Sequence, residues 1–173
     1  ALLRPVHWLS TASKLDLEVQ YGQGCTLGAD RLACAVALAH AGVFPAIAVD
    51  AGTAVSFDLV VLEDGCPVYK GGAIAPGLRT MMHALSTRTA LLPEVDAGKC
   101  VPAVGRDTRA CVASGLYHGF IGMVSGVLES IRTELSSQPR VVLTGGDARL
   151  LASLPGFSCE VDKMLVFRGL SLA

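Results

Sequence analysis

Aromatic residues are scarce in this sequence, which has one Trp, three Tyr and five Phe. Hydrophobic residues nevertheless make up 51% of the chain, so small aliphatic side chains must fill most of the core. A core of Ala, Val, Leu and Gly favours strands and helices that pack closely in layers. The length of 173 residues allows one domain with a real core or two small lobes.

Long runs of like charge are also absent, because 14 Lys and Arg residues are interspersed with 15 Asp and Glu residues. We therefore predict neither nucleic acid nor a membrane as a partner. The apolar stretch over residues 32–49 is long enough to suggest a membrane span, but Gly42 and Pro45 interrupt it. A helix, a turn and a buried strand are predicted there instead. Arg4 and Pro5 interrupt any apolar signal sequence at the start.

The six cysteines and four histidines form no metal-binding pattern. No CxxC pair occurs, and no His lies at zinc-finger spacing from a Cys. The cysteines are predicted to be small buried apolar residues of a reducing compartment, which favours a cytoplasmic protein. The histidines are scattered, so neither a Ser-His-Asp nor a Cys-His nucleophile is predicted.

Hydrophobic periodicity predicts an α/β fold with a mixed sheet rather than a doubly wound parallel sheet. Three strands and a helix are followed by a helix, a strand and a short helix. The predicted strands cover residues 6–10, 46–49, 55–62, 67–74 and the segment RVVLTGG, and the predicted helices cover 28–41, 78–86, 108–136 and 147–153. Residues 11–27 and 87–107 are predicted to be irregular, and the tail MLVFRGL to be a last strand or a turn. Asp64-Gly65 is a strong hairpin signal, Gly42 suits a helix end, and Pro76 is expected to stop its strand.

The long predicted helix carries four glycines on one face, at Gly115, Gly119, Gly122 and Gly126. Each interior glycine costs about 1 kcal/mol relative to Ala, so close approach of another element is expected to offset the cost. That element is either another subunit or the sheet of the same chain.

The segment DAGTA, residues 50–54, combines an acid, a glycine and a threonine at the end of a predicted buried strand. Gly52 allows close backbone approach, and Thr53 offers a hydroxyl and an N–H to an oxyanion. The alternative is an ordinary turn in which Asp50 caps its own backbone. The segment TGGDA, with Gly145 and Gly146, is a second glycine turn after a strand on which a ring or phosphate could lie.

The segment GADR, residues 28–31, marks a predicted helix start. Asp30 is either a favourable helix-cap residue or a general base beside an arginine that binds an anion. The helix dipole and Arg31 are both expected to keep Asp30 ionised at neutral pH. Asp107 or Thr108 is predicted to cap the long helix.

The order of these motifs is more specific than any one of them. LGADR, VDAGTAVSFD, GGAIAPG, DTRACVASG and VVLTGGDA follow one another between Tyr21 and Ala148, and together they closely resemble the type III pantothenate kinases, also called the Bvg accessory factor family. The resemblance implies an actin-like fold of two ribonuclease H-like lobes with ATP between them. Residues 1–45 would be the C-terminal remainder of the first lobe, whose N-terminal part is missing, and residues 46–173 would be the second lobe. The implied reaction is ATP-dependent phosphorylation of pantothenate to 4'-phosphopantothenate, the first step of coenzyme A biosynthesis.

The resemblance also implies a pantothenate site. Asp30 corresponds to the family's catalytic base and Arg31 is suited to the carboxylate of pantothenate. The substrate-binding residues carried over are Tyr21, Gly28, Ala29, Asp30, Arg31 and Thr108. The family works as a homodimer in which Thr108 comes from the partner subunit.

For the nucleotide side, Asp50 corresponds to the ligand of a monovalent cation, K⁺ or NH₄⁺. Thr53, beside Gly52, corresponds to the ATP phosphate contact, and Gly145 and Gly146 to the turn under the nucleotide. ATP and Mg²⁺ are the implied cofactors.

One departure from the family is expected to matter. The acidic DxGNT phosphate loop that opens the family, and that helps to place Mg²⁺, has no counterpart, and ALLRPVHWLS resembles the end of the first lobe. Two hypotheses follow: a kinase represented without its N-terminal segment, or a non-catalytic pantothenate-binding or regulatory protein on the same fold. A kinase of the same superfamily with another substrate is a third.

Overall fold

The computed structural model describes residues 8–22, 26–152, 154 and 156–173. These residues are organised around a six-stranded mixed sheet. The strands are β1 (Glu18–Val19), β2 (Ala46–Ala51), β3 (Ala54–Glu63), β4 (Cys66–Pro76), β5 (Arg140–Thr144) and β6 (Cys159–Val161). The helices are α1 (Ala29–Ala41), α2 (Leu78–Arg88), α3 (Thr108–Thr133) and α4 (Leu165–Leu172), with a 3₁₀ turn at Ala148–Leu151. The strand order is β1-β4-β3-β2-β5-β6. β3 is antiparallel to both β2 and β4, whereas β5 runs parallel to β2 and β6 parallel to β5, so the prediction of a mixed sheet is confirmed.

The two faces of the sheet carry different helices. On one face, Ile47, Val49 and Phe57 share a buried core with Phe120 and Val124 of α3. The other face packs against α1 and α4, through a second core that contains Ala46, Ala48, Val60, Leu32 and Leu165. Because side chains alternate along a strand, Asp50 on β2 and Asp58 on β3 lie on the α1 face.

The helix α3 is long and apolar enough, by length and composition, to cross a membrane. Core helices pass the same test, and one side of α3 is buried on the sheet through Leu116, Phe120, Val124 and Leu128. Asp107 caps its N-terminus, since Asp107 Oδ1 accepts a hydrogen bond from the N–H of Ala110 at 2.8 Å. The helix ends at Thr133, three residues before the predicted end.

Local turn chemistry confirms two further predictions. Gly42 closes α1 in the left-handed conformation, with φ 68°, and its N–H donates to the carbonyl of Ala39. Asp64 and Gly65 both have positive φ, 49° and 82°, between β3 and β4, as a two-residue type I′ hairpin requires.

The C-terminal tail was predicted to be a strand or a turn, and this is wrong because it forms α4. A Cβ at Gly169 would overlap the carbonyl of Ala33, so glycine allows α4 to pack directly on α1. A short apolar segment does not reveal its period, which explains the error. The short strands β1 and β6 were not predicted. Within the predicted strand 6–10, Trp8, Leu9 and Ser10 are not in a strand, and residues 6 and 7 lie outside the described residues.

Pro76 stops its strand, as predicted, although β4 extends to residue 76 rather than to residue 74. It is the last residue of the strand and is paired with Ala54. On the other side of β4, the described pairing with β1 involves only Val68 and Tyr69. The N–H that proline lacks is therefore not required at this end of the sheet.

The prediction that the cysteines are buried is wrong for three of them. Cys34 is buried and Cys159 partly buried, but Cys66, Cys100 and Cys111 are exposed. Cys25 lies outside the described residues. All five described cysteines are free thiols, and burial raises the pKa of the Cys34 thiol well above its ordinary value.

Candidate active site

The N-terminus of α1 lies over the polar end of the α1 face of the sheet. Gly28, which has no side chain to offer, is the N-cap, so the alternative that Asp30 is the cap is wrong. Asp30 is the second residue of the helix and is exposed, and its Oδ1 accepts a hydrogen bond from the N–H of Arg31 at 2.8 Å. A Cβ at position 28 would come within 2.5 Å of that same oxygen. Gly28 therefore makes room for the carboxylate to fold back over the helix start.

Arg31 points inward, into a buried polar network. Its Nε donates to Asp58 Oδ1 at 2.8 Å, and the two side chains are 9% and 0% exposed. Tyr69 Oη donates to the same oxygen at 2.9 Å, and Ser56 Oγ donates to Asp58 Oδ2 at 3.0 Å. Three donors therefore fix the Asp58 carboxylate.

The charges of this network oppose the cost of burial. Burial lowers the pKa of Arg31, but the charges of Asp58 and Tyr69 and the hydrogen bonds to Tyr21 and Asp58 together outweigh it, so that the pKa of the guanidinium is raised. Burial raises the pKa of Asp58, against the opposing effects of the Arg31 charge and of the hydrogen bonds from Tyr69 and Ser56. A buried charge of either sign is costly unless it is paired and hydrogen-bonded. Arg31 and Asp58 meet this requirement because they pair with each other.

Tyr21 forms the outer wall of the network. Arg31 Nη1 lies 3.4 Å from Tyr21 Oη and donates to it, and Arg31 Cζ is 5.8 Å from the centre of the ring. The rings of Tyr21 and Tyr69 are 5.9 Å apart, and a Cβ at Gly71 would be 3.4 Å from the Tyr21 ring. Tyr21 is 38% exposed, so the end of the network nearest to solvent is the one at which Arg31 Nη1 contacts Tyr21.

Asp50 lies on the same face, directly opposite Ser56 across β2 and β3. Burial, and secondly the charge of Asp30, raise the pKa of its carboxyl. No hydrogen bond or ion pair to this carboxylate occurs within the described residues, so the alternative that Asp50 caps its own backbone is wrong. A half-buried carboxylate without a donor suits a cation, although these residues contain no cluster of three or more His, Cys, Asp or Glu side chains.

The two predicted glycine turns meet at the ends of β2 and β5, which are parallel neighbours. Gly145 has φ 87°, and a Cβ there would overlap the carbonyl of Ala51 and the carboxylate of Asp50. The N–H of Asp147 donates to the carbonyl of Ala51 at 3.0 Å. Close approach at Gly145 therefore holds the TGGDA turn against Asp50, while Gly146 faces open space.

The GGAIAPG segment closes on the other side of the DAGTA turn. The N–H of Gly77 donates to the carbonyl of Thr53 at 3.0 Å, and a Cβ at Gly77 would overlap the carbonyl of Gly52. The N–H of Gly52 is used locally, by the carbonyl of Ala54 at 2.9 Å. In the described part of the chain, nothing accepts from the N–H or hydroxyl of Thr53, and the side chain is exposed. Thr53, rather than Gly52, thus has free donors for an anion.

Thr108 is not brought to this site within one chain. It begins α3, on the opposite face of the sheet, and lines a cavity of about 490 Å³ with Met81 and Leu85 of α2. A larger cavity of about 980 Å³ lies between α3 and the β3–β4 hairpin, lined by Leu59, Gly122 and other residues. Neither cavity includes Asp30 or Asp50.

Asp58 is the main site residue that sequence reasoning missed. The available signal was a lone acid within the apolar run VSFDLVV of a predicted strand, since a charged side chain in a buried strand needs a partner. That partner, Arg31, lies 27 residues earlier. The sequence therefore indicated that Asp58 needs a partner, but not which residue supplies it.

Three relatives align with most of this chain. A type III pantothenate kinase of Akkermansia muciniphila is 40% identical over 99% of this chain and 70% of that protein. Proteins of the same name from Chlorobaculum parvum and Brevibacillus brevis are 36% and 41% identical, over 97% and 92% of this chain. The chain spans 64% and 61% of the length of those two relatives. A crystal structure described as a conserved putative Baf family transcriptional activator from Campylobacter jejuni has a TM-score of 0.62 and 24% identity, covering 90% of this chain and 65% of that one.

The Campylobacter structure shares the fold of this chain, a mixed sheet with helices on both faces, which agrees with the predicted actin-like α/β fold. The sequence profile of the type III pantothenate kinase family matches residues 2–130. The chain belongs to the type III pantothenate kinase family.

Proposed function

We propose that the protein transfers the γ-phosphoryl group of ATP to the hydroxyl of pantothenate, the first step of coenzyme A biosynthesis. The observation that carries the proposal is the meeting of Asp30, Asp50 and the two glycine turns at one end of the sheet. Phosphoryl transfer needs positioning and charge neutralisation more than a strong base. An exposed aspartate, an arginine, a cation-binding carboxylate and anion-binding turns are groups suited to those tasks.

Pantothenate is proposed to lie along the start of α1. The Asp30 carboxylate accepts the proton of the attacking hydroxyl, and its exposed position leaves it accessible to substrate. Gly28 and Ala29 provide backbone there, and Arg31 with Tyr21 binds the carboxylate of pantothenate. The distance between the two ends of the substrate then determines which hydroxyl reaches Asp30.

ATP is proposed to lie over the two glycine turns. Thr53 donates its N–H and hydroxyl to the phosphates, Gly52 allows them to approach, and Gly145 and Gly146 lie under the nucleotide. Mg²⁺ enters with the ATP phosphates. Asp50 would hold a monovalent cation, K⁺ or NH₄⁺, whose charge would neutralise negative charge where the phosphates meet the carboxylates. We place the protein in the cytoplasm, where ATP is available.

A homodimer is proposed through the glycine face of α3, defined by Gly115, Gly119, Gly122 and Gly126. Beyond the neighbouring backbone of α3 itself, a Cβ at any of the four would meet no atom of the described residues within 4 Å. The alternative that the glycines pack on the chain's own sheet is therefore wrong, and their helix-propensity cost is not offset within the chain. Thr108 lies seven residues before Gly115, two turns of helix and so on the same face. A second copy on this face would approach Thr108.

We expect Gly119→Leu to break this dimer, because a side chain of that size prevents close helix approach. Sedimentation velocity should show a shift from dimer to monomer, with helical content and urea midpoint no lower than in the wild type. Thr87→Leu adds the same side chain to the exposed part of α2 and should leave the dimer intact. A wild-type protein that sediments as a monomer, or a Gly119→Leu variant that remains dimeric, would refute the glycine-face interface.

The kinase proposal is tested with the intact gene product. ADP release, measured with ATP, Mg²⁺ and pantothenate, is expected with K⁺ or NH₄⁺ and to be strongly reduced with Na⁺ alone, and mass spectrometry should find phosphopantothenate. In Asp50→Asn, the stimulation by K⁺ is expected to disappear. No turnover with both cations supplied would refute the kinase, and pantothenate binding without turnover would favour the non-catalytic hypothesis.

A further inference from the structure

Asp58 is too deeply buried to touch a substrate, yet it determines where Arg31 points. Its side chain is fully buried, and its Oδ1 holds the Nε edge of the guanidinium at 2.8 Å. Arginine binds a carboxylate best through two parallel N–H groups on one edge of its planar fork. Because Asp58 occupies the Nε edge, the edge formed by the two terminal nitrogens is left to bind another acceptor.

The rigidity of Asp58 comes from its other two partners. Tyr69 Oη on β4 donates to Oδ1 at 2.9 Å, and Ser56 Oγ on β3 donates to Oδ2 at 3.0 Å. Tyr69 is fully buried, so the network is anchored in two strands of the sheet. By contrast, Arg31 Nη1 makes only the long 3.4 Å contact with Tyr21, and Nη2 has no hydrogen-bond partner within the described ranges.

We propose that Asp58, held by Tyr69 and Ser56, is a positioning residue. It fixes the orientation of Arg31 so that the terminal nitrogens of Arg31 bind the carboxylate of the substrate beneath Tyr21. The inference rests on the proposed function, since it takes pantothenate as the substrate. It goes further in assigning carboxylate specificity to a buried residue that contacts no substrate. A buried ion pair that served stability alone would not favour one end group of the substrate over another.

The test is Asp58→Asn in the intact protein. The amide is isosteric: its oxygen can still accept from Arg31 and Tyr69, and its NH₂ can donate to Ser56 Oγ, so only the charge is lost. The Kd of pantothenate and of pantothenol, in which a primary alcohol replaces the carboxylate, are measured by calorimetry, and KM and kcat by ADP release. Glu160→Gln neutralises the carboxylate of another arginine pair on the same sheet, with Arg140 at 2.6 Å, and serves as the matched control.

We expect Asp58→Asn to raise the Kd and KM of pantothenate by about 10- to 100-fold, the scale on which misplaced binding groups act, with kcat changed much less. The Kd of pantothenol should change by less than about threefold, because it makes no charged contact with Arg31. Tyr69→Phe removes one donor without changing a charge, and should shift the same preference in the same direction by a smaller factor. If Asp58→Asn does not fold, the Kd values of Tyr69→Phe test the positioning role instead.

The outcomes separate the two proposals. If pantothenate is bound but not phosphorylated, the kinase proposal fails, and the two Kd values still decide the role of Asp58. Equal weakening of pantothenate and pantothenol, no change in either, or a wild type that does not prefer the carboxylate would overturn the positioning role. If the wild type neither binds nor phosphorylates pantothenate, both proposals fail.

Discussion

Asp30→Asn is expected to reduce kcat for pantothenate phosphorylation by about 10²- to 10⁴-fold, the usual contribution of a positioned general base. The amide oxygen can still accept the hydrogen bond from the N–H of Arg31, at 2.8 Å in the wild type, so the start of α1 should be unchanged. The amide cannot take a proton from the attacking hydroxyl. Because the transition state of phosphoryl transfer is loose and proton transfer is late, an effect near the lower end of this range would still fit the role.

The measurement is steady-state turnover with both substrates varied, and pantothenate Kd by calorimetry. KM and Kd should change by less than about threefold, since the amide oxygen can still accept a hydrogen bond from the hydroxyl of pantothenate and a base acting only in the transition state lowers kcat. Asp96→Asn is the matched control: Asp96 is also exposed, and its Oδ1 accepts from the N–H of Gly98 at 2.9 Å. A turnover number in Asp30→Asn equal to that of this control would remove Asp30 from the chemistry.

Predictions from sequence succeeded where the cause of structure is local. Gly42 ended α1 and Asp64-Gly65 made the hairpin, because each depends on φ angles that few other residues adopt. The fold class followed from apolar segments of strand and helix length. The tail that became α4 was misassigned, since its helix is supported by tertiary packing of Gly169 on α1, to which local sequence gives no access.

The difference between local and tertiary causes also explains which residues of the candidate site were predicted from the sequence and which were missed. Asp30, Asp50, Thr53 and Gly145 were singled out from short motifs, and their placement at one end of the sheet follows from strand order. Their individual roles remain proposals. Arg31 was assigned to a substrate carboxylate, but its partner Asp58 was not foreseen, because the pair joins α1 to the middle of β3. Contacts of this range depend on the whole topology.

Arg31→Met is expected to have the largest combined effect, on stability and on binding. Removing one member of a buried ion pair leaves the other uncompensated and costs about 3–5 kcal/mol of folding free energy. Asp58 is fully buried beneath the site, so we expect this cost, measured as a lower urea midpoint. The kcat/KM for pantothenate should also fall, by about 100-fold or more, since one well-formed bidentate charge contact is lost.

The double variant Arg31→Met/Asp58→Asn separates the two effects. With the second charge removed, the introduced amide can still accept from Tyr69 and donate to Ser56, and neutral replacements of buried ion pairs are often tolerated. Most of the lost stability should therefore return in urea titration, to within about 1–2 kcal/mol of the wild type by the usual cost of a core substitution. Pantothenate kcat/KM should stay as low as in Arg31→Met, because no cation remains to bind the carboxylate. If the double variant recovers both activity and stability, Arg31 only supports the fold. If it recovers stability but not activity, Arg31 binds the substrate, as we propose.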